Sequence, residues 1–363
     1  MDGKEDPARN LAGRLQTGLA GLWENAGVLV VFLLLFGVLS AKVPGFFSAV
    51  NMQGVALSVS MVGMVACTML FCLASGDFDL SIESIVAFSG VIAVLVLNST
   101  GQASLGILAG MAAGALVGLV NGAIIAKLKI NALITTLATM QIVRGLGYIA
   151  SRGQTVSITR KEFFLLGKTP KDVLAWLGWT HPPAALNWLL EIPNPIWITL
   201  GCFLLFGFLL NRTTYGRNTL AIGGNKEAAR LAGVAVDRIK ITIFAVQGLM
   251  AGLAGVVLAS RMQIADPKTS AGFSLDVISA CVLGGVALSG GVGTMLGTVI
   301  GVLIMGTVDN AMYLLQVDYF YQYVTRGGIL LAAVLFDQAK QQGYFDRLAR
   351  WLAGVLFKGR RGR

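Results

Sequence analysis

Arg212 to Val234 read RTTYGRNTLAIGGNKEAARLAGV, a long polar stretch that stands between two apolar ones. The flanking runs, 195–211 and 239–261, contain very few charged residues. Across the whole chain, hydrophobic residues make up 55% and charged residues only 13%, whereas soluble domains carry about 25% charged residues. The composition therefore indicates an integral membrane protein in which residues 212–234 are the main polar landmark.

A short helix is predicted inside this polar stretch because both of its ends are marked. Asn225 can cap the N-terminus, Glu227 lies in the first turn and Arg230 lies near the last. Gly233 can supply the left-handed exit. About two helical turns fit between these ends.

One face of the predicted helix carries mostly small apolar side chains at i, i+3, i+4 and i+7, namely Ala228, Leu231, Ala232 and Ala235. Small side chains let a partner surface approach the backbone closely, which suits docking into a groove of another protein. The same spacing is typical of an amphipathic helix that lies on its own membrane domain. The pattern leaves both interpretations open.

Apolar runs predict an all-α, polytopic fold with about ten transmembrane helices. Several runs, notably 275–290, are shorter than the roughly 20 residues of a full crossing, so we expect tilted, broken or re-entrant spans. The first run is interpreted as a retained span, with a cleaved signal as the alternative. The predicted spans are 26–43, 55–74, 82–99, 104–126, 130–150, 195–211, 239–261, 275–290, 293–315 and 322–337.

Basic residues set the predicted orientation. Most of them fall on the side that both termini share, which the positive-inside rule places in the cytoplasm. The net charge of +10 is dispersed among apolar spans and does not indicate nucleic-acid binding. We expect a cytoplasmic segment 1–25, a transmembrane domain 26–337 with an outside loop 151–194 and a cytoplasmic loop 212–238, and a basic cytoplasmic tail 338–363 along the lipid headgroups.

Acidic residues interrupt the apolar runs at residues 76–81. Gly76 is predicted to end one helix and Asp79 to cap the next, with Glu83 in its first turn. Asp77 and Asp79 are candidates for a transport path or gate, because carboxylates are costly at membrane depth. A position at the cytoplasmic rim is the alternative.

The fifth predicted span carries a polar stripe of Asn131, Thr135 and Thr139, with Gln141 and Arg144 farther along. Hydroxyl and amide groups suit a path for an uncharged polar solute. Threonine also bonds to its own i−4 carbonyl, so path lining and local satisfaction both stay open.

Asp309 and Asn310 near the end of the ninth predicted span complete the candidate pathway, together with Arg326 in the tenth. We predict a polar cluster there in which Asp309 pairs with Arg326. Glycine also recurs at every fourth position, which predicts close helix packing, with sliding surfaces as the alternative. These glycines are Gly110, Gly114, Gly118 and Gly122, then Gly248 and Gly252, then Gly293, Gly297 and Gly301.

The patterns of nucleotide-hydrolysing and metal enzymes are missing. The single Gly-Lys-Thr, at 167–169, has Glu162 where a P-loop needs glycine and is followed at once by Pro170. His181 is the single histidine, which argues against an imidazole metal site. We expect no catalytic residue, metal or cofactor in this chain.

Residues 63–81 read GMVACTMLFCLASGDFDLS. Together with 126–146, 211–234, 258–262 and 277–291, they resemble ABC-importer permeases of the ribose/arabinose/xylose branch. Within that branch the similarity is strongest to L-arabinose permeases, and the matching segments cover most of residues 50–337. The outside loop departs from the resemblance, because 167–190 look like extra length.

The resemblance implies a non-enzymatic transport subunit of the bacterial inner membrane that imports a monosaccharide, with L-arabinose expected. It also implies a second permease subunit, a periplasmic sugar-binding protein, and a cytoplasmic ABC ATPase that binds the ATP and Mg²⁺. The ATPase-coupling residues would be Asn225, Glu227, Ala228, Ala229, Arg230, Leu231 and Gly233.

Two alternatives stay open. The same machinery could carry ribose, xylose, galactose or a branched-chain amino acid. A proton-coupled secondary transporter would instead use Asp77, Asp79 or Asp309 as the proton carrier.

Overall fold

The computed structural model describes residues 27–179, 183 and 186–341. The predicted segment 1–25, His181 and the tail beyond Gln341 lie outside the described residues. The helices are α1 (Gly27–Lys42), α2 (Ala49–Ala74), α3 (Ile82–Thr100), α4 (Ala103–Lys127), α5 (Ala132–Ser151), α6 (Pro170–Trp176), α7 (Asn187–Leu190), α8 (Asn194–Arg212), α9 (Thr214–Gly224), α10 (Lys226–Leu231), α11 (Val236–Met262), α12 (Phe273–Leu283), α13 (Met295–Leu314) and α14 (Tyr319–Gln341).

Every predicted span overlaps a helix, and the all-α membrane fold is confirmed. Seven of the described helices are long and apolar enough to cross a membrane: α2, α3, α4, α5, α8, α11 and α13. The eighth predicted span, 275–290, is shorter than a full crossing, as expected from its length. Its helix α12 has 11 residues, about 16 Å of rise, against a hydrocarbon core of about 30 Å. Gly284 and Gly285 follow it, and Gly285 has a left-handed φ of +84°.

The two ends of the helix bundle are distinguished by what connects the helices there. The α10 end carries α9 and α10, which lie between α8 and α11. The β end carries a short antiparallel pair, β1 (Val156–Ser157) with β2 (Ile264–Ala265). A 3-10 helix, Lys161–Leu166, and the short helices α6 and α7 belong to the long connection at the β end.

The most enclosed helix is α2, in which all residues from 63 to 74 are buried. Outer helices instead carry exposed apolar side chains, for example Leu116 on α4, Ile142 on α5 and Leu204 on α8. An apolar interior with an apolar outer surface is typical of a bundle surrounded by lipid or by another membrane subunit.

Glycine faces hold α4 against α11. A Cβ added at Gly118 would overlap the Phe244 carbonyl, and one added at Gly114 would overlap the Gly248 carbonyl. On α13, a Cβ at Gly301 would overlap the Ala280 carbonyl of α12. The glycine ladders are therefore contact surfaces at which helix backbones touch.

Candidate functional site

The predicted helix in the polar stretch is α10, and it is bounded by the predicted residues. The Asn225 side-chain oxygen accepts a hydrogen bond from the Ala228 amide at 3.0 Å. Gly233 has a left-handed φ of +83°. The helix has six residues, slightly under the expected two turns. Arg230 lies 3.4 Å from Glu227 and 3.7 Å from Asp237, so it links α10 to the first turn of α11.

The two faces of α10 differ in exposure. Ala229 is 5% exposed and belongs to a small cluster with Ile222 and Val236. Leu231 is 89% exposed, and the rest of its stripe, Ala228, Ala232 and Ala235, is exposed as well. The stripe therefore faces away from the protein's own membrane domain, whereas Ala229 packs on it.

The polar stretch contains a second helix, α9, which was not predicted from the sequence. Its N-cap is Thr213, whose hydroxyl accepts from the Gly216 amide at 3.3 Å. At its other end, a Cβ on Gly223 would overlap the Ala74 carbonyl at the end of α2. That carbonyl also accepts from the Gly291 amide at 2.9 Å. The α9–α10 unit thus touches both α2 and the α12–α13 connection.

Asp77 forms a buried ion pair that the sequence did not reveal. Its carboxylate lies 2.6 Å from the Lys240 ammonium, and the two side chains are 10% and 8% exposed. Lys240 lies near the start of α11. The pair ties the break between α2 and α3 to the helix that follows α10.

Asp79 is fully buried. One of its oxygens accepts from the Ser81 amide at 2.9 Å and from the Ser81 hydroxyl at 2.5 Å. Ser81, and not Asp79 as predicted, is the residue that precedes the first turn of α3. Ser81 accepts in turn from the Asn121 amide at 2.9 Å, and Asn121 accepts from the Thr139 hydroxyl at 2.7 Å. This chain of hydrogen bonds joins α3, α4 and α5.

The polar stripe of α5 makes mainly local bonds. The Asn131 side chain caps the helix by accepting from the Leu133 amide at 2.8 Å. The Thr135 hydroxyl donates to the Asn131 carbonyl at 3.0 Å. Thr139 is engaged by α4, and Gln141 is exposed. Asn131 and Thr135 thus bond within their own helix, Thr139 bonds to a neighbouring helix, and the Gln141 amide faces outward.

Arg144 lies within an ionic contact inside the bundle. It is 3.3 Å from Glu83, and it donates to the carbonyls of Pro267 and Thr269 at 3.0 and 2.8 Å. The other Glu83 oxygen accepts from the Gly272 amide at 3.0 Å, directly before α12. One glutamate therefore connects α3 and α5 to the start of α12.

The predicted pair of Asp309 and Arg326 is present. Two guanidinium nitrogens lie 3.1 and 3.2 Å from the two Asp309 oxygens, and a third lies 3.2 Å from Asp276 on α12. Asn310 instead exchanges two amide hydrogen bonds of 2.9 Å with Asn51. Together with the Glu83–Arg144 contact described above, these charged residues form what we call the ionic layer: Glu83, Arg144, Asp276, Asp309 and Arg326.

The ionic layer has functional implications because charged groups inside a membrane domain are expensive and tend to mark transport paths. Its two arginines contact three carboxylates, and each of the five residues lies on a different helix. Glu83 and Asp276 were missed as site residues. Their signal in the sequence is a carboxylate within a run that is otherwise apolar.

Residues 51–334 match the protein family described as the permease component of the branched-chain amino acid transport system. The chain belongs to this permease family. The permease is 56% identical over 321 residues to the L-arabinose transport system permease protein AraH of Escherichia coli, which covers 88% of this chain and 92% of that protein. It is 53% identical to the L-arabinose ABC transporter permease protein AraH of Azospirillum brasilense, over 88% and 90% of the two chains.

More distant relatives include the ribose import permease protein RbsC of Escherichia coli, at 34% identity over 92% of the permease and 99% of that protein. No solved structure matches the permease. The predicted resemblance to sugar permeases is confirmed, and the relatives are permease components of transport systems.

Proposed function

We propose that the permease is the membrane subunit of an ABC importer that carries L-arabinose into the cytoplasm. The observation that carries the proposal is the 56% identity to an L-arabinose permease across 88% of the chain. The ribose permease aligns over a similar share of the chain at only 34% identity. Ribose is therefore the less supported cargo, and xylose and galactose have no further observation in their favour.

The proposed orientation places the α10 end in the cytoplasm and the β end outside the bacterial inner membrane. The positive-inside rule supports it, and both termini are then cytoplasmic. The basic residues of the connection that contains α9 and α10, with those at the start of α11, are Arg212, Arg217, Lys226, Arg230, Arg238 and Lys240.

The outward stripe of α10 is the proposed docking surface for a cytoplasmic ABC ATPase. Leu231 supplies one large apolar side chain at 89% exposure, flanked by alanines that let a groove close around the helix. ATP and Mg²⁺ would be bound by the ATPase chain. Glu227 and Arg230 would orient the rim of the contact, while Ala229 holds α10 on the membrane domain.

Movement of α10 has a physical route into the bundle. Gly223 contacts Ala74, and Ala74 bonds to Gly291 in the connection between α12 and α13. From there α12 leads to the ionic layer, where the Gly272 amide meets Glu83. We propose that displacement of α10 reorients α12 and, through the ionic layer, alters access to the pathway.

A second permease subunit and a periplasmic sugar-binding protein complete the proposed assembly. The exposed apolar face of α5, with Ile134, Leu137 and Ile142, offers a surface for the second subunit or for lipid. The binding protein would dock at the β end, where it can deliver sugar to the outer mouth of the pathway.

Uptake by reconstituted vesicles tests this proposal. We expect labelled L-arabinose to accumulate only when ATP, an ABC ATPase and an arabinose-binding protein are supplied, and unlabelled ribose to compete weakly. An uncoupler should leave accumulation unchanged while ATP is maintained. Uptake that needs no ATPase and collapses with the uncoupler would instead support a proton-coupled transporter. Equal competition by ribose would contradict the assignment of the sugar.

A further inference from the structure

A polar pocket lies at the α10 end of the bundle, between the α4–α5 turn, α10 and the start of α11. Its volume is about 320 Å³. It is separate from the ionic layer, since none of the layer's five residues lines it. The lining residues are Gly76, Asp77, Phe78, Ile125, Lys129, Ile130, Asn131, Ala132, Leu133, Lys226 and Lys240.

The pocket carries excess positive charge. Three lysines from three separate elements line it, Lys129, Lys226 and Lys240, against a single carboxylate from Asp77. That carboxylate is 2.6 Å from Lys240 and compensates it. Among the described residues, the salt bridges include neither Lys129 nor Lys226. Within the part of the chain that the structure describes, these two ammonium groups thus line one pocket without forming an ion pair.

The backbone adds to this positive potential. Asn131, which lines the pocket, is the N-cap of the 20-residue helix α5, so the positive end of the helix dipole lies at the same place. Lys129 has a left-handed φ of +57°, an uncommon conformation for a residue with a side chain. The α4–α5 turn thus holds a lysine at the rim despite its backbone cost.

Exposed apolar side chains border the pocket. Ile130 and Leu133, which both line it, are 43% and 44% exposed. A soluble anion would leave these side chains in contact with water. A phospholipid would cover them with its acyl chains while its phosphate occupied the charged part of the pocket.

We infer that this pocket binds the phosphate group of an anionic phospholipid from the cytoplasmic leaflet. Basic pockets between helices on the cytoplasmic side are typical binding sites for such headgroups. Lys129 and Lys226 supply the direct charge, and the Asp77–Lys240 pair closes the base. Because Lys226 is the first residue of α10, the bound lipid would connect α10 to the α4–α5 turn.

Native mass spectrometry of the purified permease tests the inference without an ATPase. Phosphatidylglycerol and phosphatidylcholine with identical acyl chains are the probes, and we expect preferential retention of phosphatidylglycerol. Lys129→Gln with Lys226→Gln should weaken that retention by about tenfold or more. The control is Lys127→Gln, which removes one positive charge at the end of α4, outside the pocket. This variant should keep the preference for phosphatidylglycerol.

Three results would overturn the inference. The first is equal retention of phosphatidylglycerol by the double variant and the Lys127→Gln control. The second is displacement of the lipid by millimolar inorganic phosphate, which would identify a site for a free anion. The third is unchanged lipid preference in the double variant together with loss of ATPase association in a separate copurification, which would assign the lysines to an acidic surface of the ATPase.

Discussion

Asp77 and Lys240 illustrate how much one buried contact contributes to stability. Removing the carboxylate would leave the Lys240 ammonium buried without its partner, so Asp77→Asn is expected to lower the free energy of unfolding by about 3–5 kcal/mol. Thermal unfolding of the purified protein measures it. Asp77→Asn combined with Lys240→Met should recover part of the loss, because neither side chain is then charged.

The exposed pair of Lys171 and Glu191 is the control for this experiment. Its atoms lie 3.0 Å apart at side-chain exposures of 47% and 61%, and Lys171→Gln should change the free energy of unfolding by less than about 1 kcal/mol. Equal unfolding temperatures for Asp77→Asn and Lys171→Gln would show that the buried pair has no special weight.

Charge reversal tests the ionic layer. Asp309→Arg and Arg326→Asp should each abolish sugar uptake, because each places like charges together. The double reversal should restore uptake only in part, since the new aspartate at 326 would face Asp276, which lies 3.2 Å from the native guanidinium. Adding Asp276→Asn should restore more. If neither combination exceeds the uptake of the single variants, the layer does not act through these charges.

At the residue scale, the sequence reveals candidates more readily than their contacts. The Asp309–Arg326 pair was predictable because a short turn joins α13 to α14. The Asp77–Lys240 and Glu83–Gly272 contacts were not, because each joins residues far apart in the sequence whose proximity depends on how the helices pack. Thr135 differs from these residues, because its hydroxyl bonds to a carbonyl of its own helix, a contact that the residue type alone suggests.

At the scale of the element, the two faces of α10 have different expected roles. Ala228→Glu alters the exposed stripe, so it should abolish copurification of the ATPase while leaving the unfolding temperature unchanged. Ala229→Glu places a charge among Ile222 and Val236, so it should lower the unfolding temperature as well. Equal copurification of the ATPase with wild type and Ala228→Glu would remove α10 as the docking element.

The glycine ladder makes a second prediction about elements. Gly118→Ala should lower the free energy of unfolding by roughly 1–3 kcal/mol, because its Cβ would overlap the Phe244 backbone. Gly201→Ala on α8 is the matched control, since a Cβ there meets no atom within 4 Å. That variant should be neutral or slightly more stable. Similar unfolding temperatures for the two variants would contradict the close contact between α4 and α11.

The helices that the sequence predicted well are long apolar runs ended by glycine or by acidic residues. The helix α9 was missed because its composition, with Arg217, Asn218 and two terminal glycines, resembles a loop. Its helical state depends on the Thr213 cap and on packing of Gly223 against α2. The shortness of α12 was expected from the length of the run 275–290, although hydropathy alone does not show that the helix ends at Gly284 and Gly285.

At the scale of the whole molecule, the permease consists of a closely packed centre and a smaller group of elements at the α10 end. The centre is α2 with the glycine-packed helices α3, α4 and α11. The elements at the α10 end are α10, α9 and the α12–α13 turn, of which α9 and the turn meet at Ala74. In the proposed coupling, a partner at the α10 end would act on the ionic layer through α12 while the packing of the centre stays unchanged.

The most direct measurement is ATP hydrolysis by the permease reconstituted in lipid with its ABC ATPase, with and without arabinose-loaded binding protein. We expect the loaded binding protein to stimulate hydrolysis, and Leu231→Glu to reduce the stimulation by about tenfold or more. Leu315→Glu, the same change at a 56% exposed leucine after α13, should leave the stimulation unchanged. Undiminished stimulation in the Leu231→Glu variant would contradict coupling through α10.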